Sequence, residues 1–406
     1  MNTLRLAWRG LLRNRRRSLV TLLAIALGFA AITLFAGYTK NVYEGLAQQA
    51  IHAGLLGHLT LNKRGMTREG KLDPGRYLFN AAEIARIKSL LDDEPHIELI
   101  APRLTLSGLA SNSRVSTIFI AEGIAPQAMR TLQKGNIIKR LDPENPQTVL
   151  FSVGLAELLG LRAGDTAQVL TGTVGGQANA ADVTLGGTFD TGNAGNNDKF
   201  VYMPLAFAQS LYDTEGGADR LTLLLDDDAQ TDPVRMHLTQ RLNEAGLDLE
   251  IHTWRELSDF YNQVHDMFDM IFAFIFSIVL TVVLMSVTNS MGMTVIERTR
   301  EIGALRAIGL RRKSVLKLFA LESLLLTLLG CASGLALTLA VRYGVNAADI
   351  AYTPPNSSSP VPLLVSVDAT RTAFTFALMV IVGTLAACLP ALRAAKRPII
   401  DALGHV

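Results

Sequence analysis

Cysteine is scarce in this chain: two in 406 residues, Cys331 and Cys388. Both fall in long apolar runs, so no disulfide framework organises the rest of the chain. They read as small packing residues of the kind membrane helices prefer at their contacts. The phosphate loop G-x-x-x-x-G-K-[ST] is absent, and Gly175-Gly176 has no lysine downstream in register, so this stretch holds no nucleotide by that route. The seven histidines include no pair at H-E-x-x-H spacing, and there is no G-x-S-x-G elbow. His52 and His58 share a short segment without a nearby cysteine and read as surface or core residues. With no catalytic constellation and no metal set, an enzyme is the reading the sequence supports least. Charge is also in short supply, at 18% of residues against 49% hydrophobic. That balance is apolar for a globular protein but not for one lying wholly in a bilayer. It predicts a few spans and a large water-soluble domain.

Four runs are long enough for the roughly 20 residues that cross a bilayer core. They lie near Leu19–Gly37, Met270–Thr288, Val315–Val341 and Ala373–Leu392. The first run is too long for a signal-peptide core and has no small-x-small cleavage site after it, so it reads as a retained span. Lysine and arginine set the orientation. The leader carries Arg5, Arg9, Arg13, Arg15, Arg16 and Arg17 with no acid; the segment between spans two and three carries Arg298, Arg300, Arg306, Arg311, Arg312 and Lys313; the tail carries Arg393, Lys396 and Arg397. Four spans put all three on one side. Both termini are then cytoplasmic, and the region between spans one and two lies outside.

The expected fold is a membrane protein of four transmembrane helices with a large α+β domain between helices 1 and 2. Its parts are an amphipathic N-terminal helix (1–18), span one (19–39), the α+β domain ending in a stalk helix (40–268) and span two (269–290). A charged helix (291–313), span three (314–342), an outer loop (343–370), span four (371–392) and a tail (393–406) follow. In the leader, Leu4, Trp8 and Leu11 recur at helical spacing beside Arg5, Arg9 and Arg13. Two readings stand: a helix lying on anionic lipid, or a basic topology signal alone. In the large domain, His58–Leu61, Arg103–Leu109, Ser116–Ala121 and Thr166–Leu170 read as strands. Ala81–Leu91, Phe151–Leu159, Leu205–Tyr212, Pro233–Ala245 and Trp254–Met267 read as helices. Thr171–Lys199, rich in Gly and Asn, reads as a flexible connection around a hairpin at Val183–Phe189. The less favoured alternative is a loop that protrudes toward a partner outside the membrane. Trp254 to Met270 contains no Gly or Pro and predicts one continuous helix into span two. Tyr352–Pro362 reads as an extended loop.

The densest charge lies in Ile296–Lys313, between spans two and three. Ile302, Leu305 and Ile308 share one helical face, with Arg298, Glu301 and Arg306 elsewhere and Gly309 as a natural stop. The segment is either an interfacial helix with solvated charges or a docking element for a separate motor. Glu322 is an acid inside span three, and such residues are functional candidates by default. No second acid or histidine in the spans builds a proton relay with it. A partner among the basic residues of the leader or the charged segment is the preferred reading. Gly330 and Gly334 form a small-xxx-small pair that lets span three pack closely on another span.

Glu297-Arg298-Thr299-Arg300-Glu301-Ile302-Gly303-Ala304-Leu305-Arg306-Ala307-Ile308-Gly309 resembles the E-R-x-x-E-I-G-x-x-[RK]-A-x-G motif of FtsX/MacB-type (type VII) ABC permeases. The likeness continues through Glu322, Gly330 and Gly334 to Pro390-Ala391 and Pro398-Ile399. At the start, Ala7-Trp8-Arg9-Gly10-Leu11-Leu12-Arg13-Asn14 through Leu19-Thr21 matches the family's entry into span one. The resemblance implies a periplasmic domain, a bacterial inner-membrane location and a dimer with a second permease, identical or paralogous. It also implies a cytoplasmic ABC ATPase in another chain that binds ATP and Mg, leaving no cofactor in this one. Coupling would fall to Glu297, Arg298, Glu301, Ile302, Leu305, Arg306, Ile308 and Gly309. In architecture the chain looks closest to lipoprotein-releasing permeases. The expectation is that no nucleotide-binding domain is fused to it, unlike the full-length macrolide exporter. Three functions follow as expectations: extraction of a lipoprotein-like or amphipathic substrate, drug or peptide efflux through an adaptor and outer-membrane duct, or mechanical regulation of a periplasmic protein. Partners would include membrane lipid and no nucleic acid.

Overall fold

The computed structural model describes residues 3–70, 73–134, 141–142, 144–191, 195, 197–308, 311–353 and 360–396. The chain forms two compact units. One comprises Met1–Tyr43, Val264–Tyr352 and Pro362–Val406; the other comprises Glu44–Gln263 and Thr353–Val361.

The first unit is helical. Helices Arg15–Gln48, Asp259–Glu297, Arg312–Ala347 and Ala369–Lys396 supply the four spans. Each is long and apolar enough to cross a bilayer. Their shared core includes Ile25, Phe29, Val287, Phe319, Leu326 and Met379. Small residues set how near the helices come. A methyl group on Gly330 would sit 2.7 Å from Ile25, and one on Gly334 would sit 2.7 Å from the Ala26 carbonyl, so span three rests directly on span one. A Thr33–Thr338 hydroxyl pair at 2.7 Å ties the same two helices. Ser323 donates to the Gly383 carbonyl at 2.8 Å, tying spans three and four.

The leader differs from its expected outline. A separate helix, Thr3–Arg13, precedes the span helix, which begins at Arg15. Its buried line is Ala7, Gly10 and Leu11, while Trp8 is 45% exposed. Its apolar side is thus divided between the protein core and the surroundings.

The second unit is α+β and centres on nine strands: β1 (Leu59–Lys63), β2 (Ile97–Ser111), β3 (Ser116–Ile124), β4 (Thr148–Ser152), β5 (Thr166–Gly172), β6 (Ala178–Phe189), β7 (Phe200–Pro204), β8 (Arg220–Leu225) and β9 (Leu249–Thr253). Six of them close on themselves in the cycle β2–β3–β7–β4–β6–β5–β2. A closed ring has no free edges. Leu104, Phe119, Val149, Val169, Val183 and Val201 fill it. β5 shows strict alternation of buried and exposed residues, as a wall between core and solvent must.

The remaining strands form an open antiparallel sheet in the order β2–β8–β1–β9. Helix Ala81–Leu91 connects β1 to β2 and helix Thr231–Glu244 connects β8 to β9. This is the split βαβ arrangement. Its core holds Leu59, Ile87, Leu221, Leu223 and Leu238. The long β2 serves both halves, its start pairing with β8 and its end with β3 and β5.

Three expectations give way here. Phe151 and Ser152 are not helical: they end β4, with Phe151 fully buried in the ring, and the helix is Val153–Leu158. Within Thr171–Lys199, residues 171–189 are not a flexible connection. Residues 178–189 form β6, paired with both β5 and β4, and the chain reverses at Thr173–Gln177 with Gly176 at φ +79°. Residues 192–194 and 196 of that stretch lie outside the described residues, as do 354–359 of the outer loop. The stalk is not one helix either. Helix Trp254–Leu257 ends at Ser258, at φ −98° and ψ 84°, and a new helix starts at Asp259. The Ser258 hydroxyl accepts from the Tyr261 amide, a local bond that competes with continued helix.

Candidate functional site

The charged segment and the leader come together in the membrane unit. The span-two helix runs to Glu297, breaks at Arg298 (φ −102°, ψ 9°) and resumes as a short helix, Thr299–Ala307. The expected charged helix of 291–313 is therefore shorter than its sequence outline, because residues 291–297 still belong to span two. At the break Arg298 turns inward, and its Nη1 donates to Glu322 Oε2 at 3.3 Å. The Glu322 side chain is 3% exposed and that of Arg298 17% exposed. Gly10 of the leader closes over this pair. A Cβ there would lie 2.7 Å from Glu322 Oε1 and 2.9 Å from Arg298 Nη2, so any larger residue would displace the ions.

Around this pin the leader and the short helix are cross-linked by charge. Arg13 Nη1 donates to Glu301 Oε1 at 2.7 Å. Arg17 and Asn14 both donate to Glu297, at 2.9 and 2.7 Å. The Glu301 contact raises the Arg13 guanidinium above its usual pKa, first through the hydrogen bond and then through charge. The leader contains six arginines and no acid, so it had to find its counter-ions elsewhere. That one-signed composition was the signal that could have named Glu297 and Glu301 as its partners.

The short helix has an inner and an outer face. Thr299, Ile302 and Gly303 are buried; Arg300, Glu301, Ala304, Ala307 and Ile308 are exposed. Ile302 is 7% exposed and joins the core with Val295, Val315 and Leu11. Ile308 is 85% exposed. The expectation that Ile302 and Ile308 offer one apolar face to a partner is therefore wrong for Ile302, because the protein's own core takes it. Arg306 is half-buried. Gly309 and the side chain of Leu305 lie outside the described residues.

The ions form a chain, Arg13–Glu301–Arg298–Glu322, and among the described residues no group of His, Cys, Asp or Glu could hold a metal. What the geometry offers is a joint pinned at one buried point: Arg298, at the start of the short helix, holds it to span three, Arg13 tethers Glu301 to the leader at the surface, and Arg17 of the span-one helix holds the end of span two at Glu297.

A family model of the FtsX-like permease C-terminal domain matches residues 272–399, which include Glu297, Arg298, the short helix and Glu322 but not the leader. A model of the MacB-like periplasmic core domain matches residues 18–241, covering span one and most of the α+β unit. The chain belongs to the FtsX/MacB-type family of ABC transporter permeases. It is 23% identical to the macrolide export ATP-binding/permease protein MacB of Agrobacterium fabrum, over 99% of this chain and 60% of that protein. It is 25% identical to the pyoverdine export ATP-binding/permease protein PvdT of Pseudomonas fluorescens, over 98% of this chain and 58% of that protein. The chain thus spans about 60% of the length of these relatives. Among solved structures, the periplasmic region of MacB from Actinobacillus actinomycetemcomitans aligns at 14% identity and a TM-score of 0.35, over 52% of this chain and 92% of that one.

Proposed function

We propose that the chain is a transmembrane subunit that converts ATP hydrolysis by a separate cytoplasmic ATPase into motion of its α+β domain. The carrying observation is the joint: an exposed helix face, Arg300 to Ile308, fixed through Arg298–Glu322 and Arg13–Glu301 to span three and the leader. A push on that face moves the joint as one body. The reading sets it in the cytoplasm and the α+β domain in the periplasm of a bacterial inner membrane, and the three basic regions support that orientation. A second permease completes the transporter, and ATP with Mg binds only the ATPase. The proposed cargo is an amphipathic molecule taken at the periplasmic face. The relatives named for macrolide and pyoverdine export favour efflux of such a molecule over lipoprotein release. Mechanical regulation of a periplasmic protein would use the same joint. The test is co-purification with the cognate ATPase, followed by the ATPase rate of the complex. Wild type should retain the ATPase and Ile308→Asp should lose it. Full retention by Ile308→Asp, with an unchanged rate, would move coupling away from this face.

A further inference from the structure

One outer face of the ring in the α+β unit carries almost no charge. Leu109 of β2 stands opposite both Ile118 of β3 and Leu170 of β5, and Leu170 stands opposite Ala180 of β6. These four form a row across four adjacent strands. All four are exposed, Ile118 by 64%, Leu109 by 45% and Leu170 by 41%. The next outward row, in the same strand order, is Ser116, Ser111, Gln168 and Asp182. Asp182 is the one charged residue in the two rows. An apolar row of this length on a wall that faces water marks a contact surface. It belongs neither to the charged joint nor to the core of the ring.

We infer that this face packs on the same face of a second copy of the chain. The ring is closed and offers no strand edge to extend, so contact has to be face to face. The row is graded in size, with branched Ile118 at one end, Ala180 at the other and two leucines between. A two-fold axis running along the strands, between β2 and β5, sets Leu109 against Leu170 of the second copy. The same axis sets Ile118 against Ala180 of the second copy, large against small at both ends. An axis across the strands would set Ile118 on Ile118 and Ala180 on Ala180, a clash at one end and a gap at the other. Charge favours the first axis too. It brings Asp182 over Ser116 of the second copy, beside Arg114 in the turn between β2 and β3. Both residues are exposed, and among the described residues neither side chain makes an ion pair. Two short rows are less than the roughly 20–30 residues a side of a stable interface, so this contact supplements the spans rather than holding a dimer alone. The inference rests on the second permease of the proposed function being an identical chain.

The experiment uses the full chain in native membranes, co-expressed as two differently tagged copies, one carrying Leu109→Cys and the other Leu170→Cys. Both changes trim exposed side chains. Under mild oxidation the mixed pair should link into a species of twice the mass, since a disulfide needs Cα atoms within about 7 Å. Ile118→Cys in both copies should not link, because the axis holds these positions about three strand spacings, roughly 14 Å, apart. Met236→Cys, 69% exposed on helix Thr231–Glu244, sets the background for random collision. Asp182→Arg should lower the yield of the mixed pair by about threefold, and Asp182→Arg/Arg114→Asp should restore it. Pull-down through one tag reports whether two copies assemble at all. If they assemble and the mixed pair links no more than Met236→Cys does, the face is overturned while the second-copy reading stands. If they do not assemble, that reading fails and the face falls with it. Faster linking of Ile118→Cys than of the mixed pair would put the axis across the strands and overturn the arrangement, as would a yield unchanged by Asp182→Arg.

Discussion

Each unit of this protein buries charge, but in different ways. The membrane unit buries one pair, Arg298 and Glu322, under Gly10. The α+β unit buries a cluster where β2, β3 and β8 meet. Arg103, 1% exposed, pairs with Glu122 and donates to the Leu55 carbonyl. Arg220 bonds Glu122 at 2.8 Å, Asp219 at 3.1 Å and the Thr105 hydroxyl at 2.5 Å. The cluster balances two cations against two anions and has neutral acceptors besides. A single loss there leaves alternative partners. In the membrane unit Arg298 also lies 4.0 Å from Glu301, but among the described ion pairs Glu322 has Arg298 alone. Redundancy at the buried acid is the difference, and it decides what each unit tolerates.

The sharpest test removes one cation from each centre. Arg298→Met leaves Glu322 buried without its counter-ion and should cost about 3–5 kcal/mol. Arg298→Met/Glu322→Leu should recover most of that loss. Arg220→Met leaves the Arg103–Glu122 pair intact and should cost less, about 1–3 kcal/mol. Thermal midpoints of the detergent-solubilised chain measure all three. Equal losses from the two single changes would break the contrast.

A neutral group sharpens the same contrast in the α+β unit. His58 is 3% exposed, and its Nδ1 accepts from the Leu225 amide at 2.9 Å. Burial pushes its pKa down from 6.5 to about 4, against the partly opposing charge of Asp228. The folded state therefore binds this proton less readily than the unfolded state does. Stability from this residue is complete above about pH 6.5 and falls as the pH drops toward 4, by at most about 3 kcal/mol. His58→Asn should flatten the acid limb of the melting profile between those values. An unchanged limb would place the acid sensitivity in other groups.

Much of the architecture was legible in the sequence. Four apolar runs sum to a strong signal, and Ala81–Leu91 and Leu205–Tyr212 were read to the residue. Other elements were hidden for physical reasons. The run Arg220–Leu225 alternates only over Arg220–Leu223 and ends in three consecutive leucines, too short a pattern to separate a buried strand from a helix segment. The closing of the ring depends on β2 meeting β3 and β5 at once, which no local pattern encodes. Phe151 and Ser152 were misread because the helix that follows them shares their composition. The break at Ser258 carries no Gly or Pro. In the site, Glu322 was expected to pair with a basic residue of the leader or the charged segment, and it pairs with Arg298. Its cover by Gly10 could not be foreseen, because periodicity identifies a face and not what lies on it. The same limit explains Ile302.

Ile302 and Ile308 separate packing from docking within one short helix. Ile302→Ala opens a gap in the membrane core and should cost about 2 kcal/mol of stability, near the low end for such truncations. Ile308→Ala should leave the melting midpoint unchanged and weaken retention of the cognate ATPase by about 1–2 kcal/mol, if that side chain becomes fully buried at the contact. A stability loss from Ile308→Ala equal to that from Ile302→Ala would mean the two residues face one environment, and the inner and outer faces would lose their distinction.

The smallest effect belongs to the outermost bond. Arg13 and Glu301 are 65% and 50% exposed, so water screens their 2.7 Å contact. Exposed pairs contribute about 0–1 kcal/mol. Arg13→Ala should therefore scarcely move the melting midpoint, whereas Glu301→Lys sets a third cation against Arg13 and Arg298 and should cost more. Swapping the pair, Arg13→Glu/Glu301→Lys, should restore most of that loss. The restoration should fade as salt shortens the screening length from about 10 Å at 0.1 M to about 3 Å at 1 M. Arg298 behaves oppositely, because salt does not reach a buried pair. A double-mutant cycle on Arg13 and Glu301 at both salt concentrations gives the coupling directly. A coupling above about 2 kcal/mol that persists at 1 M salt would make this bond a second buried pin. The joint would then have two fixed points, and the leader would move only with the short helix.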